Sequence, residues 1–132
     1  MKYAVTGAAG LIGKSLTIWL ADQGHFVNAL IRNEVPNEFL NTSYINVYRG
    51  DITDIESMRQ CFVGCDGVFH VAAFTKPWVK DASQYYLINE VGTENVCKLA
   101  LECGVNRVVL TSTAGVHGPQ QNGKLVDEQT WP

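Results

Sequence analysis

Lys2-Tyr3-Ala4-Val5-Thr6-Gly7-Ala8-Ala9-Gly10-Leu11-Ile12-Gly13 is the stretch on which the fold turns. Lys2–Thr6 is a short run suited to a strand, and from Leu11 onward apolar residues recur at helical spacing. Between the two lie glycines at 7, 10 and 13. In a strand-turn-helix unit the first such glycine permits the tight turn and the second lets a pyrophosphate approach the backbone. The third lets the helix pack close to the strand. The free N–H groups at the helix start then face the anion. A glycine triplet alone is also compatible with a plain βα turn, but its place at the opening of a β-α-β unit favours dinucleotide binding. The candidate cofactor contacts here are Gly7, Ala9, Gly10, Leu11, Ile12 and Gly13.

Outward from this turn the chain alternates short apolar runs with amphipathic stretches. The first helix is expected over 11–23, with Ile12, Leu16, Trp19 and Leu20 toward one side and Gly24 ending it. Phe26–Ile31 reads as the second strand, residues around Pro36 as a loop, and 44–49 as the third strand. Thr53 or Asp54 can cap a helix over 54–62, with Glu56 in its first turn. A fourth strand over 67–72 looks buried on both faces. One long helix follows over 82–102, closed by Gly104, and then a fifth strand over 107–111. After Gly118 the chain becomes polar and rich in turn formers. The alternation predicts one α/β domain over 1–132: a doubly wound, Rossmann-type parallel sheet with helices on both faces.

Bulk composition narrows the partners. The 132 residues are 46% hydrophobic and 17% charged, an ordinary globular balance that suits a single domain. A net charge of -3, with the basic residues scattered, gives no field for nucleic acid. No apolar run approaches the ~18 residues of a membrane span, and no basic-then-apolar leader opens the chain, so neither membrane nor export is expected. The expected location is cytoplasmic. Cys61, Cys65, Cys97 and Cys103 lack the two-residue gap of zinc and redox sites, so reduced thiols and no metal site are expected.

The adenosine end of a dinucleotide would meet the end of the second strand, Leu30-Ile31-Arg32-Asn33. A fold that prefers NAD usually offers a carboxylate to the ribose 2′-hydroxyl there. Arg32 instead offers a guanidinium fork that suits a 2′-phosphate, which favours NADP, with NAD as the alternative through Glu34 nearby. Asp51 and Ile52, after the third strand, are placed to meet the adenine, although Asp51 could equally cap the next helix.

These residues resemble the extended short-chain dehydrogenase/reductase family when read with further segments in order. The segments are Thr6–Gly13, Gly50-Asp51-Ile52, His70-Val71-Ala72-Ala73, Asn89 through Val96, and Arg107 through Thr113 running on to Val116-His117-Gly118. Within the family, Leu30-Ile31-Arg32 looks more like the NADP-dependent dihydroflavonol and cinnamoyl reductase branch than the NAD-dependent sugar epimerases. The resemblance implies catalysis by a tyrosine acid/base, a lysine that lowers its pKa, and a Ser or Thr hydroxyl that orients the substrate oxygen, beside a hydride-carrying nicotinamide. It places the catalytic hydroxyl at Thr113, with Ser112 as its neighbour, Thr111 among the cofactor contacts, and Asn89 shaping the site from the long helix. Ala72 and Ala73 would leave room for the cofactor. His70 is expected to be a core histidine bonded to backbone, and His25 and His117 receive no role.

None of the five tyrosines has a lysine four residues on. The chain therefore reads as the N-terminal part of a longer enzyme, cut by design, proteolysis or a gene break, without the final strands and the substrate lobe. By itself it is expected to be inactive. The uncovered apolar sheet edge would favour self-association, for example as a homodimer. Three functions remain: an NADP-dependent oxidoreductase of a small carbonyl or alcohol substrate, an NAD-dependent nucleotide-sugar epimerase or dehydratase, and a non-catalytic dinucleotide-binding or sensing module.

Overall fold

The computed structural model describes residues 1–117 together with Asp127 and Gln129. The expectations for Gly118 and for the rest of the tail lie outside the described residues. Five strands form one sheet: β1 (Lys2–Thr6), β2 (Phe26–Ile31), β3 (Ile45–Arg49), β4 (Gly67–His70) and β5 (Arg107–Leu110). All four pairings are parallel and the order is β3-β2-β1-β4-β5. Because the chain works outward from β1 to β3 and then returns to the other side of β1 for β4, the strand order reverses beside β1. A crevice opens at such a reversal, outside the carboxyl ends of the strands.

The inner strands β1, β2 and β4 are buried on both faces, as the alternation of Ala4 and Val5 along β1 requires. On one face Val5, Val27, Ala29 and Ile31 pack with Leu20 and Ala21 of α1 (Leu11–Asp22) and with Phe39 of a short 3-10 turn, Asn37–Asn41. On the other, Ala4, Leu30 and Val68 pack with Met58 and Phe62 of α2 (Ile55–Phe62) and with Val96 and Leu99 of α4 (Gly92–Glu102). The doubly wound expectation holds. Asp54 caps α2 by accepting from the Glu56 and Ser57 N–H groups, which selects it over Thr53.

Three local expectations need correction. The buried stripe of α1 is Gly13, Thr17, Leu20 and Ala21, whereas Ile12 is 59% and Trp19 57% exposed. The expected stripe was one residue, about 100°, out of phase, because the helix sits so close to β1 that small side chains must face inward. β3 and β4 are also shorter than expected, and the residues after His70 leave the ladder to line the crevice. The long helix is continuous from α3 (Ser83–Tyr85) into α4, but Tyr86–Val91 forms a π turn. A π turn has no periodic signature in sequence, and such turns often mark functional sites. Among the described residues β5 is a sheet edge whose Val109 and Leu110 are exposed.

The four cysteines are free thiols. Burial pushes Cys65 up to about 11 and raises Cys61 as well, so both are inert.

Candidate dinucleotide site

The turn after β1 is shaped by two steric demands. Gly7 adopts φ 67°, and a Cβ there would lie 2.7 Å from the Ala72 nitrogen, so the end of β1 touches the segment after β4. At Gly13 a Cβ would lie 2.2 Å from the Gly7 carbonyl oxygen, which is why α1 can start so close to the strand. Gly10 is different. It has ordinary extended dihedrals, and a Cβ there would meet only the Gly7 oxygen, at 3.2 Å. Packing inside the chain thus constrains Gly10 far less than Gly7 or Gly13. Gly10 N–H donates to the Gly7 oxygen at 2.9 Å, and α1 begins with neither a side-chain cap nor an acidic residue in its first turn. Its leading N–H groups lack intrahelical acceptors and carry the positive end of the helix dipole.

A cleft of about 280 Å³ opens in front of this turn, at the carboxyl ends of β1, β2 and β4. Gly7, Ala9, Gly10, Arg32, Ile52, Ala72 and Ala73 all line it. Leu11 is 87% and Ile12 59% exposed, and neither residue lines the cleft, nor does the buried Gly13. Asn33, Glu34, Gly50, Val71, Phe74 and Ile88 also line it, and of these only Glu34 was singled out from the sequence as a contact. Their participation depends on loop paths after strands, which local patterns do not specify.

Asp51 stands beside the cleft in a shallow basin with Arg32, Arg49 and Ser57. Burial by itself pushes its carboxyl up. Bonds from the Thr53 N–H and hydroxyl, with the Arg32 guanidinium, outweigh that and hold it below its ordinary value. Arg32 Nη1 lies 3.3 Å from Asp51 Oδ2, and the side chains are 58% and 36% exposed. Beyond Asp51, Ile52 is held from two sides. Its carbonyl accepts from Asn95 Nδ2 at 3.0 Å, and its Cδ1 would be 2.6 Å from a Cβ at Gly92.

His70 is a core histidine, 1% exposed, but its partners are side-chain hydroxyls rather than the expected backbone. Its Nδ1 is 2.7 Å from Thr6 Oγ1 and its Nε2 is 3.0 Å from Thr93 Oγ1. The Thr93 hydroxyl donates to the Asn89 carbonyl at 2.7 Å. Asn89, in the π turn, accepts from Phe74 N–H at 2.7 Å and donates to the Phe74 carbonyl at 3.1 Å. Asn89 thus pins the loop that walls the cleft. Thr111, Ser112 and Thr113 continue from β5, are exposed, and do not line the cleft. Thr111 N–H extends the sheet to the His70 carbonyl, and Thr113 Oγ1 accepts from Gly115 N–H.

The model of the NAD dependent epimerase/dehydratase family matches residues 3–131. A Synechocystis sp. protein provisionally named dihydroflavonol 4-reductase is 36% identical over 126 residues, covering 96% of this chain and 36% of that protein. Cinnamoyl-CoA reductase 1 of Petunia hybrida is 34% identical over 137 residues, covering 96% of this chain and 40% of the relative. Among solved structures, MoeE5 in complex with UDP-glucose and NAD superposes with a TM-score of 0.86 at 29% identity, covering 100% of this chain and 42% of that one. The chain therefore spans about two fifths or less of the length of these relatives.

Proposed function

Because the chain belongs to the NAD-dependent epimerase/dehydratase family, we propose that it is the dinucleotide-binding part of an oxidoreductase that uses NADP to reduce or oxidise a small carbonyl or alcohol. The observation that carries this reading is the Gly10 position, where a glycine, an uncapped helix start and an adjoining cleft coincide. A pyrophosphate there would take the leading N–H groups of α1, with Ala72 and Ala73 leaving room beside it and Ile52 packing on the adenine.

The preference for NADP rests on Arg32 at the end of β2. An exposed ion pair such as Arg32 with Asp51 is worth little, so a 2′-phosphate can draw the guanidinium away and accept its paired N–H groups. Resemblance to the reductases supports the same choice. The second reading, NAD with an epimerase or dehydratase activity, is favoured by Glu34 in the cleft and by the NAD held in MoeE5. A bound nicotinamide supplies the hydride chemistry. For this chain's own residues, the family resemblance gives Thr113, with Ser112 beside it, the task of orienting the substrate oxygen, while Asn89 holds the loop at the cleft. A non-catalytic dinucleotide module remains the third reading.

Calorimetric titration with NADPH and NADH tests the choice. NADPH should bind more tightly, and Arg32→Ala should weaken NADPH about tenfold or more, the worth of one charge-assisted hydrogen bond or two, while sparing NADH. Tighter NADH binding that ignores Arg32→Ala would overturn the NADP assignment.

A further inference from the structure

We infer that His70 is a positioning residue: its buried ring, held as one tautomer between Thr6 and Thr93, fixes Asn89 and through it the Phe74 wall of the cleft.

The proton positions follow from the partners. The Asn89 carbonyl can only accept, so the single Thr93 hydroxyl hydrogen goes to it. Thr93 Oγ1 must then accept from His70, which puts the ring proton on Nε2. Nδ1 of that ring is an acceptor, so the Thr6 hydroxyl donates to it. The Thr6 oxygen has two lone pairs left, and it receives Val71 N–H at 3.2 Å and Ala72 N–H at 3.3 Å. Each hydrogen in the network thus has an acceptor, and both ring nitrogens have a partner. The other tautomer would set Nδ1–H against an oxygen already accepting twice, and would leave the Thr6 and Nε2 sites mismatched.

The geometry gives this network a direction. Thr6 ends β1, His70 ends β4, and Thr93 lies in the first turn of α4, just past the π turn that carries Asn89. The network therefore ties two strand ends to the helix that holds Phe74, and both the Val71–Ala72 and Phe74 backbones it fixes line the cleft. A core histidine with only a packing role would not need three hydroxyl and amide links in series.

The consequence for affinity rests on the dinucleotide reading above, but the network can be tested without ligand. Two-bond ¹H–¹⁵N correlation spectra of the ligand-free protein should show His70 protonated on Nε2 and bare on Nδ1; a proton on Nδ1, or averaging between tautomers, overturns the inference. Thr93→Val keeps the side chain's shape and removes only the hydroxyl. It should speed hydrogen exchange at the Phe74 amide about fivefold, the worth of one hydrogen bond, and weaken NADPH and NADH by a similar factor. Asn89→Ala should do the same, and the double variant should be no worse than Asn89→Ala alone, because the two act in series. His70→Gln, which can still donate toward Thr93, should exchange more slowly at Phe74 than His70→Phe. Additive losses in the double variant, or unchanged Phe74 exchange in Thr93→Val, would refute the series. If the native protein binds neither dinucleotide, the functional proposal fails, and the ring proton and the Phe74 exchange still decide this one.

Discussion

Gly10→Val should weaken dinucleotide binding about 10²–10³-fold and leave the fold intact, whereas Gly13→Ala, a smaller change three residues away, should destabilise the fold. At Gly10 the backbone is extended, at φ -74° and ψ 170°, which any residue adopts. Its Cβ would press only on the Gly7 oxygen at 3.2 Å, a few tenths of an ångström too close. Loss of unfolded-state freedom offsets part of that strain, so stability should change by no more than about 1 kcal/mol. The side chain would stand where the proposed pyrophosphate lies against the helix start. Losing two charge-assisted hydrogen bonds at roughly 1.5–2 kcal/mol each corresponds to an affinity loss of about 10²–10³-fold. At Gly13 the added carbon would sit 2.2 Å from one backbone oxygen and 2.8 Å from a backbone carbon. Neither atom can rotate away, so α1 must move off β1, at a cost of about 3 kcal/mol or more. Thermal unfolding followed by circular dichroism, with calorimetric titration of each folded variant, reads both quantities. A folded Gly10→Val that binds with native affinity would refute the assignment of the turn, and a Gly13→Ala as stable as the native chain would refute the packing argument.

Acid should expose the state of His70. Burial holds its pKa below the ordinary 6.5, and its recorded partners, Thr6 and Thr93, are uncharged. The unfolded chain therefore takes up the proton first. The stability this contributes is complete above about pH 6.5 and is lost as pH falls toward the lowered value, by up to ~1.4 kcal/mol per pH unit. Urea unfolding at several pH values should show that slope in the native protein and a flatter one in His70→Gln; equal slopes would count against it. Thr113→Ala, made in a longer protein that carries this chain and turns over substrate, should lower turnover by about 10²-fold or more with cofactor affinity nearly unchanged, since Thr113 lies outside the cleft. Equal losses in both would move Thr113 to the cofactor site.

Much of the architecture was legible because it rests on short-range rules. The glycine spacing at 7, 10 and 13 marks a strand-turn-helix junction within seven residues, and the strand limits of Phe26–Ile31 follow from an apolar run broken only by Asn28 and ended by Arg32 and Asn33. Asp54 is a helix cap for reasons contained within four residues. From such pieces the alternation of strands and helices determines a parallel doubly wound sheet, and that topology in turn places a crevice beside β1.

What only the tertiary structure decided involves partners far apart in the chain or angles finer than a pattern resolves. Thr6 and His70 are 64 positions apart, and nothing near either names the other. Arg32 meets Asp51 because β2 and β3 end side by side, a contact invisible in two separate motifs. The inward face of α1 differs from the apolar stripe by one residue, since closeness to β1 selects for small size before hydrophobicity. Asn89 could be placed on a helix from its neighbours, but its hold on Phe74, 15 positions earlier, depends on a loop returning over it. The amino-acid order thus set the local conformations and the sheet they build, while long-range steric fit and hydrogen-bond accounting chose which side chains meet at the cleft.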